Sequence, residues 1–516
     1  MSAIEKKNSH PVLAAVFLSV IVFLSGLFNL DNNCNWGDDY AAYLTDGIAL
    51  AEGKYEEQIH TNAFLRYGSS EEDAVHVHSF GMPLLHSLVY RLCGFDRTDF
   101  ADLFVYKLPS LLLLSVMCAA YYLLLRKRFD KYISVVLTLT LCCSLEFFYA
   151  IRNLGNDVLF MAFTLLCFYA AELFTAGEEK SLFCAASLGF LLWATVSVRL
   201  NGVGVLLAVL LYHALSLLDR KKRPTLADFV PYAVFAVLYL IINCLIFPSP
   251  TSTSSVSDIS LQRFRGGIQY YSSQLYSYFS AVAETLFVAP LRFVQRIVVP
   301  GKDPITIYNA LNKLLTVLFF VFMGIGIAVE CGRRKIAVPV FVLASFLITA
   351  GLNLGQGMRY LYSILPFLFL YFACGLSFLK NKLTQRTNKA WFSGLCTAAL
   401  CCFALIPVIK ADAENIKNPA REPLTAYSES AVEAYNYIAD HLEKDSTVAF
   451  FKPRALYLNT GVRSFPPRDN GRKVGEGDYY LYYKPDPDYL LTEDEEENYT
   501  AVFENEDFLL LEKKRY

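Results

Sequence analysis

Two neighbouring carboxylates, Asp38 and Asp39, stand just beyond the first long apolar run, in Asp31-Asn32-Asn33-Cys34-Asn35-Trp36-Gly37-Asp38-Asp39-Tyr40. Such a pair can do acid–base chemistry: one carboxylate takes the proton of an attacking hydroxyl while its neighbour orients the acceptor or tunes the pKa. The pair also precedes a stretch of helical spacing, Tyr40 to Ala51, ended by Gly53, so an Asp here equally fits the N-cap of a helix. Both roles are compatible, because adjacent side chains point different ways. A second set is made of arginines: Arg152 in Ile151-Arg152-Asn153-Leu154-Gly155-Asn156-Asp157, Arg199 at the end of an apolar run, and Arg359 in Gly355-Gln356-Gly357-Met358-Arg359-Tyr360. Guanidinium forks match phosphate oxygens in two-point geometry, so three of them at one membrane face favour an anionic ligand. Pairing with Asp157, Glu146 or lipid headgroups would serve each arginine singly.

Other polar residues are candidates for sugar or acceptor binding: Asp157, His78, Tyr360, and Glu284 in the amphipathic stretch Tyr276 to Val299, which also reads as a surface anchor. His76 and His78 have a spacing that can serve a metal, yet no nearby acidic or Cys residue completes a ligand pattern, so no metal and no cofactor is assigned. Asn353 and Gln356 can hydrogen-bond a sugar or cap helix ends.

The elements that must position these groups are membrane helices. The 516 residues are 55% hydrophobic and 15% aromatic with only 18% charged, and the mean hydropathy is +0.36, far too apolar for an ordinary soluble enzyme. A net charge of -2 carries no basic surface for nucleic acid. Most of the 13 cysteines lie in apolar runs and read as packing residues, while Cys34 and Cys93 share one loop and can pair. Taking roughly 17 to 25 apolar residues per crossing, spans are expected near Pro11 to Leu30, Phe104 to Leu125, Tyr132 to Phe148, Val158 to Leu173, Leu182 to Val198, Gly202 to Leu218, Phe229 to Phe247, Leu311 to Val329, Ile336 to Leu352, Tyr360 to Leu379 and Trp391 to Ile409, about eleven in all. Alternate connections are basic, among them Arg126 to Lys131, Arg220 to Arg223 and Arg333 to Lys335. By the positive-inside bias these are cytoplasmic, which puts residues 31–103, 248–310 and the tail outside. Arg152, Arg199 and Arg359 then lie on the side where arginine should be scarce.

The expected architecture is an α-helical polytopic membrane module, 1–410, followed by a small extracytoplasmic α/β domain, 411–516. In the tail, helical text from Ser428 to Leu442 alternates with strand-like runs Thr447 to Phe451, Tyr479 to Tyr483 and Phe508 to Leu511.

The ordered motifs carry a resemblance over nearly the whole chain. It resembles the polytopic glycosyltransferases of the GT-C fold, the broad family of dolichyl-phosphate-mannose protein mannosyltransferases and bacterial aminoarabinose transferases. Gly37-Asp38-Asp39-Tyr40 is similar to that family's acidic pair after the first span, Gly81-Met82-Pro83-Leu84-Leu85 to its Pro-Pro-Leu loop, and Asn156-Asp157-Val158-Leu159-Phe160 to its Ser-Asp-Pro-Leu-Phe pattern. Arg199-Leu200-Asn201-Gly202 and Arg359-Tyr360-Leu361-Tyr362-Ser363-Ile364-Leu365-Pro366 resemble its Arg-x-x-Gly and Arg-Tyr…Pro segments. There are two departures: Asp-Asp replaces Asp-Glu, which keeps the charge and shortens the second carboxylate's reach, and the proline pair is reduced to Pro83.

The resemblance implies a donor sugar on a polyprenyl phosphate, delivered from the bilayer, and a lipid, glycan or protein acceptor whose hydroxyl displaces the phosphate with inversion. Asp38 matches the family's first acid and is the expected base; Asp39 joins it as catalytic, and Arg152, Arg199 and Arg359 would hold the phosphate. The absence of retention or lipidation signals, together with the soluble outer tail, favours a bacterial inner membrane over an endoplasmic reticulum. The rival classes are a transporter or flippase of lipid-linked sugars, whose inverted repeats are not evident, and a membrane scaffold, which has no need of Asp38, Arg152, Arg199 and Arg359 at one face.

Overall fold

The structure, a computed structural model, describes residues 11–67, 79–95, 103–176, 181–220, 224–247, 277–282, 304–351, 357–387, 425–467, 473–486, 491 and 497–514. Among these, eight helices are long and apolar enough to cross a membrane, from Pro11–Asn29 to Arg359–Lys382, and two shorter apolar helices, Leu182–Val198 and Ala337–Thr349, lie between them. They fill the positions expected from the sequence except Trp391 to Ile409, which lies outside the described residues. The chain is a multi-pass membrane protein.

In chain order the helices that matter for the site are α1 (Pro11–Asn29), α2 (Asp39–Glu52), α3 (Tyr55–Tyr67), α4 (Gly81–Cys93), α5 (Leu103–Arg126), α6 (Lys131–Cys142), α7 (Leu145–Arg152), α8 (Asn156–Ala176) and α9 (Leu182–Val198). The span expected from Tyr132 to Phe148 is broken at Cys143 and Ser144 into α6 and α7. Helix α5 runs through the middle of the bundle against α1, α6 and α8, with Leu111, Leu114, Met117, Cys118 and Tyr121 fully buried. On α1, by contrast, Val12, Leu13, Phe17 and Leu24 are exposed, the apolar outer surface that lipid would cover.

Helix α2 is not a span. It lies across the end of the bundle with ten of its residues buried from Tyr40 to Ala49, and it ends at Gly53, whose left-handed φ of 76° closes the helix onto Ala49 and Leu50 carbonyls. Gly47 lets it approach α4: a Cβ there would come within 2.7 Å of the His86 Cβ and 3.0 Å of the Pro83 carbonyl. Between α2 and α3, Asp46 accepts a 2.8 Å hydrogen bond from Asn62, which in turn accepts one from Gln58. Burial pushes the Asp46 carboxyl up to about 7, against the lowering pull of Asn62 and Arg454. The folded protein therefore holds a proton that the unfolded chain releases near pH about 4; the stability this contributes is full below that pH and is lost as pH rises through about 7. Asp46→Asn should therefore lose less Tm than the wild type between about pH 5 and about pH 8, and parallel Tm profiles would show that the carboxyl titrates normally.

The carboxy-terminal region is an α/β domain on one five-stranded sheet, order β2-β1-β3-β5-β4, with β1 (Thr447–Ala449), β2 (Arg463–Phe465) and β3 (Tyr479–Tyr483) parallel, β5 (Phe508–Lys513) antiparallel to β3, and β4 (Tyr499–Glu504) antiparallel to β5 at the edge. The expected helix appears as Glu429–His441, capped by Ser428. A second helix, Pro453–Thr460, crosses from β1 to β2 and was not legible in the sequence. The expected boundary near Ala411 lies outside the described residues.

The sheet domain sits on the segment that carries the acidic pair. Trp36 packs among Phe450, Phe451, Tyr483 and Phe508 with ring centroids 5.2 to 6.1 Å apart, Phe64 of α3 meets Phe465 edge-on, and the Ala426 amide donates to the Cys34 carbonyl at 3.1 Å.

Candidate functional site

The centre of the site is a carboxylate that sees no solvent. Asp157, in the first turn of α8 where the free amides favour an anion, is fully buried and ion-paired with two arginines: Arg199 Nη1 at 2.6 Å and Arg359 Nε at 2.7 Å. Arg359 also reaches Asp39, at 3.3 Å between Nη2 and Oδ2. Four charges from four places in the chain thus alternate in sign along one line: Arg199 after α9, Asp157, Arg359 at the start of Gly357–Ile364, and Asp39 at the first turn of α2. Arg199 stacks over the Tyr360 ring at 5.4 Å, holding that aromatic at the same place. Exposure is lowest at the Asp157 side chain, 0%, beside Arg199 at 17%, and rises from Asp157 through Arg359 at 32% to Asp39 at 40%. The two arginines are held by a buried anchor, and the Arg359–Asp39 end opens to solvent.

Asp38 faces elsewhere. It occupies the N-cap position of α2 but its side chain makes no cap bond to that helix. Instead Oδ1 accepts from the Ala455 amide at 3.1 Å, and Oδ2 lies 3.7 Å from Arg454 Nε. Burial raises the Asp38 carboxyl above the usual carboxylate range; Arg454, Lys452 and the Ala455 amide pull it down, and the Asp39 charge adds to the rise. A base with a raised pKa takes a proton from a hydroxyl more readily than an exposed aspartate does.

Arg152 does not join the line of charges. It pairs with Asp31 at 2.6 Å, and Asp31 is also 3.5 Å from Lys107 Nζ. The fully buried Lys107 donates to the carbonyls of Asp31 and Asn33 at 2.6 Å each, so it ties down the turn leading from α1 to the acidic pair. Between Arg152 and Asp157, Leu154 takes a left-handed φ of 52°, a conformation that a branched side chain adopts only at a cost. Cys34 and Cys93 are both free, and the buried Cys34 Sγ donates to the Arg152 carbonyl at 3.7 Å. Glu146 is exposed, and Tyr362, not an arginine, reaches its backbone carbonyl.

His76, His78 and Glu284 lie outside the described residues, as do Asn353 and Gln356. Among the described residues no three His, Cys, Asp or Glu side chains converge as a metal site. His86 is buried against Tyr106, and burial lowers its pKa to about 4, which keeps the imidazole neutral. Lys107 was detectable in principle, as a lone charge in the first turn of an apolar run; nothing local marks Arg454, whose importance depends on where the sheet domain docks.

Residues 77–247 match the family model described as dolichyl-phosphate-mannose-protein mannosyltransferase. No curated protein matches the chain in sequence. Among solved structures, the ArnT of Cupriavidus metallidurans in the apo state is 10% identical with a TM-score of 0.54, covering 98% of both chains. The same protein bound to undecaprenyl phosphate is 11% identical with a TM-score of 0.53 over 97% of both. The Archaeoglobus fulgidus oligosaccharyltransferase is 14% identical with a TM-score of 0.54, covering 94% of this chain and 70% of that one. Residues 77–247 thus carry the sequence signature of the mannosyltransferase family, and the chain as a whole has the GT-C fold of membrane glycosyltransferases.

Proposed function

We propose that this protein moves a sugar from a polyprenyl-phosphate donor to an acceptor hydroxyl at the extracytoplasmic face of a bacterial inner membrane, with inversion at the anomeric carbon. The observation that carries the reading is the pair of arginines, Arg199 and Arg359, anchored on the buried Asp157, with the Asp39 carboxylate on Arg359. The donor phosphate approaches from the bilayer and takes the place of Asp39 on Arg359, so that the Asp39 carboxylate is released as the donor seats. The acceptor oxygen then attacks the anomeric carbon, its proton passes to Asp38, and the bond from that carbon to the phosphate oxygen breaks with its electrons leaving on the phosphate. Charge that grows on the departing phosphate is met by groups already oriented, the form of electrostatic stabilisation that costs least reorganisation. Arg152, tied to Asp31, supports the turn that leads to the acidic pair and stands apart from the phosphate. Among the fold matches, the ArnT structure holding undecaprenyl phosphate supports a lipid-phosphate donor.

The test is transfer of radiolabelled sugar by the purified full chain from a panel of polyprenyl-phosphate sugars, repeated with vesicles carrying donor on one side only. Label leaving the carrier is the expected result and identifies the donor. Donor crossing the bilayer with its sugar still attached would replace this reading with that of a flippase.

A further inference from the structure

We propose that the sheet domain completes the catalytic end of the membrane module by capping it from across the domain boundary: Arg454 and the Ala455 amide fix the carboxylate of Asp38, so Arg454 is a positioning residue for transfer. The proposal rests on the reading above, in which Asp38 accepts the proton.

The helix Pro453–Thr460 begins without a cap of its own. Its N-cap residue, Lys452, has no acceptor and makes no cap bond, and Pro453 has no amide hydrogen. A free amide in the first turn therefore waits for an acceptor, and the acceptor comes from the other domain, as Asp38 Oδ1 at 3.1 Å from the Ala455 nitrogen. The strand order puts this helix start at the carboxyl end of β1, which has β2 on one side and β3 on the other. In open sheets of this kind that switch point is where ligands, often anions, bind. Here the protein's own carboxylate fills it.

Arg454 is 9% exposed. A guanidinium so far removed from water requires an anion nearby, and Asp38 at 3.7 Å supplies one; the Arg454 charge is also felt at Asp46, about two turns further along α2. Among the described residues, the charged and titratable groups facing Asp38 are Arg454, Lys452 and Tyr435 from the sheet domain and Asp39 from its own helix. Trp36, two residues before Asp38, is locked among four aromatics of the sheet domain, so the depth at which the carboxylate enters is set by the docking itself. The sheet domain is therefore part of the active centre, not an appendage to it.

The experiment compares wild type, Arg454→Gln, Arg454→Lys, Asp38→Asn and the double variant Asp38→Asn/Arg454→Gln in the full chain. Removing the positive charge lets the Asp38 carboxyl rise further, so the acid limb of the kcat profile should move up by about one pH unit in Arg454→Gln. Arg454→Lys should restore it, and donor KM should hold. A lower kcat with an unmoved limb would overturn the proposal, since a structural role changes the amount of active enzyme and not its titration. Thermal unfolding needs no turnover and separates this proposal from the assignment of function: Arg454→Gln should lower Tm in the wild-type background and much less in the Asp38→Asn background. Equal losses in both backgrounds would refute the pair even in a protein shown to transfer sugar, and a coupled loss would sustain it in one that transfers none.

Discussion

Asp38→Asn is expected to lower the rate of sugar transfer by about 10²- to 10⁴-fold, the range that a positioned general base supplies. The substitution keeps the shape and an acceptor oxygen for the Ala455 amide, so the fold should persist, with a lower Tm because Arg454 loses its anion, and donor binding should be unchanged. What is removed is the carboxylate's basicity, which takes the acceptor proton. Asp39→Asn is the informative partner. Its carboxylate lies on Arg359 at 3.3 Å, so its removal should first tighten donor binding, because the phosphate no longer has a carboxylate to displace, and only secondarily change the rate. Both are read from single-turnover transfer at saturating donor, beside equilibrium binding of the polyprenyl phosphate. Full activity in Asp38→Asn would remove the base assignment; a collapse confined to Asp39→Asn would move it one residue along.

The uneven legibility of this site has a physical reason. Spans are long runs governed by the cost of exposing polar groups to lipid, a property of each segment taken alone, so helices such as Pro11–Asn29 and Arg359–Lys382 could be drawn from composition. The break at Cys143 and Ser144 could not, because it follows from how α6 and α7 pack against α1 and α5. The arginines were visible as charges on an unexpected side. Their partners were not: Asp157 with Arg199 and Arg359, or Arg152 with Asp31, are contacts between residues tens to hundreds of positions apart. Helix Glu429–His441 announced itself through Ser428 and an apolar face at helical spacing. Helix Pro453–Thr460 has eight residues, too few for such a pattern, and its missing cap lies more than four hundred positions away in Asp38. An Asp before a helical stretch reads as the cap of that helix; that it caps a different one is knowledge only the tertiary structure holds.

Arg359→Ala and Asp157→Ala should separate binding from stability at the same ion cluster. Arg359 is a third exposed and presents its fork where the donor phosphate would sit, and a charge-assisted contact of that kind contributes roughly 1.5 to 3 kcal/mol. Its removal should weaken polyprenyl-phosphate binding about 10- to 100-fold. Asp157 would still be paired with Arg199, so Tm should change little. Asp157→Ala acts the other way. The carboxylate is fully buried and neutralises two guanidinium groups, and deleting one member of a buried charge cluster leaves the others uncompensated, a loss of about 3 to 5 kcal/mol. Tm should fall sharply while the surviving protein, with two arginines freed of their anchor, still binds the phosphate. Binding isotherms and unfolding curves on the two variants decide the matter: unchanged donor affinity in Arg359→Ala would count against a phosphate role for that residue. An unchanged Tm in Asp157→Ala would mean that a counter-ion or water replaces the carboxylate in the bundle, and the arginines would then be held by something other than the anchor described here.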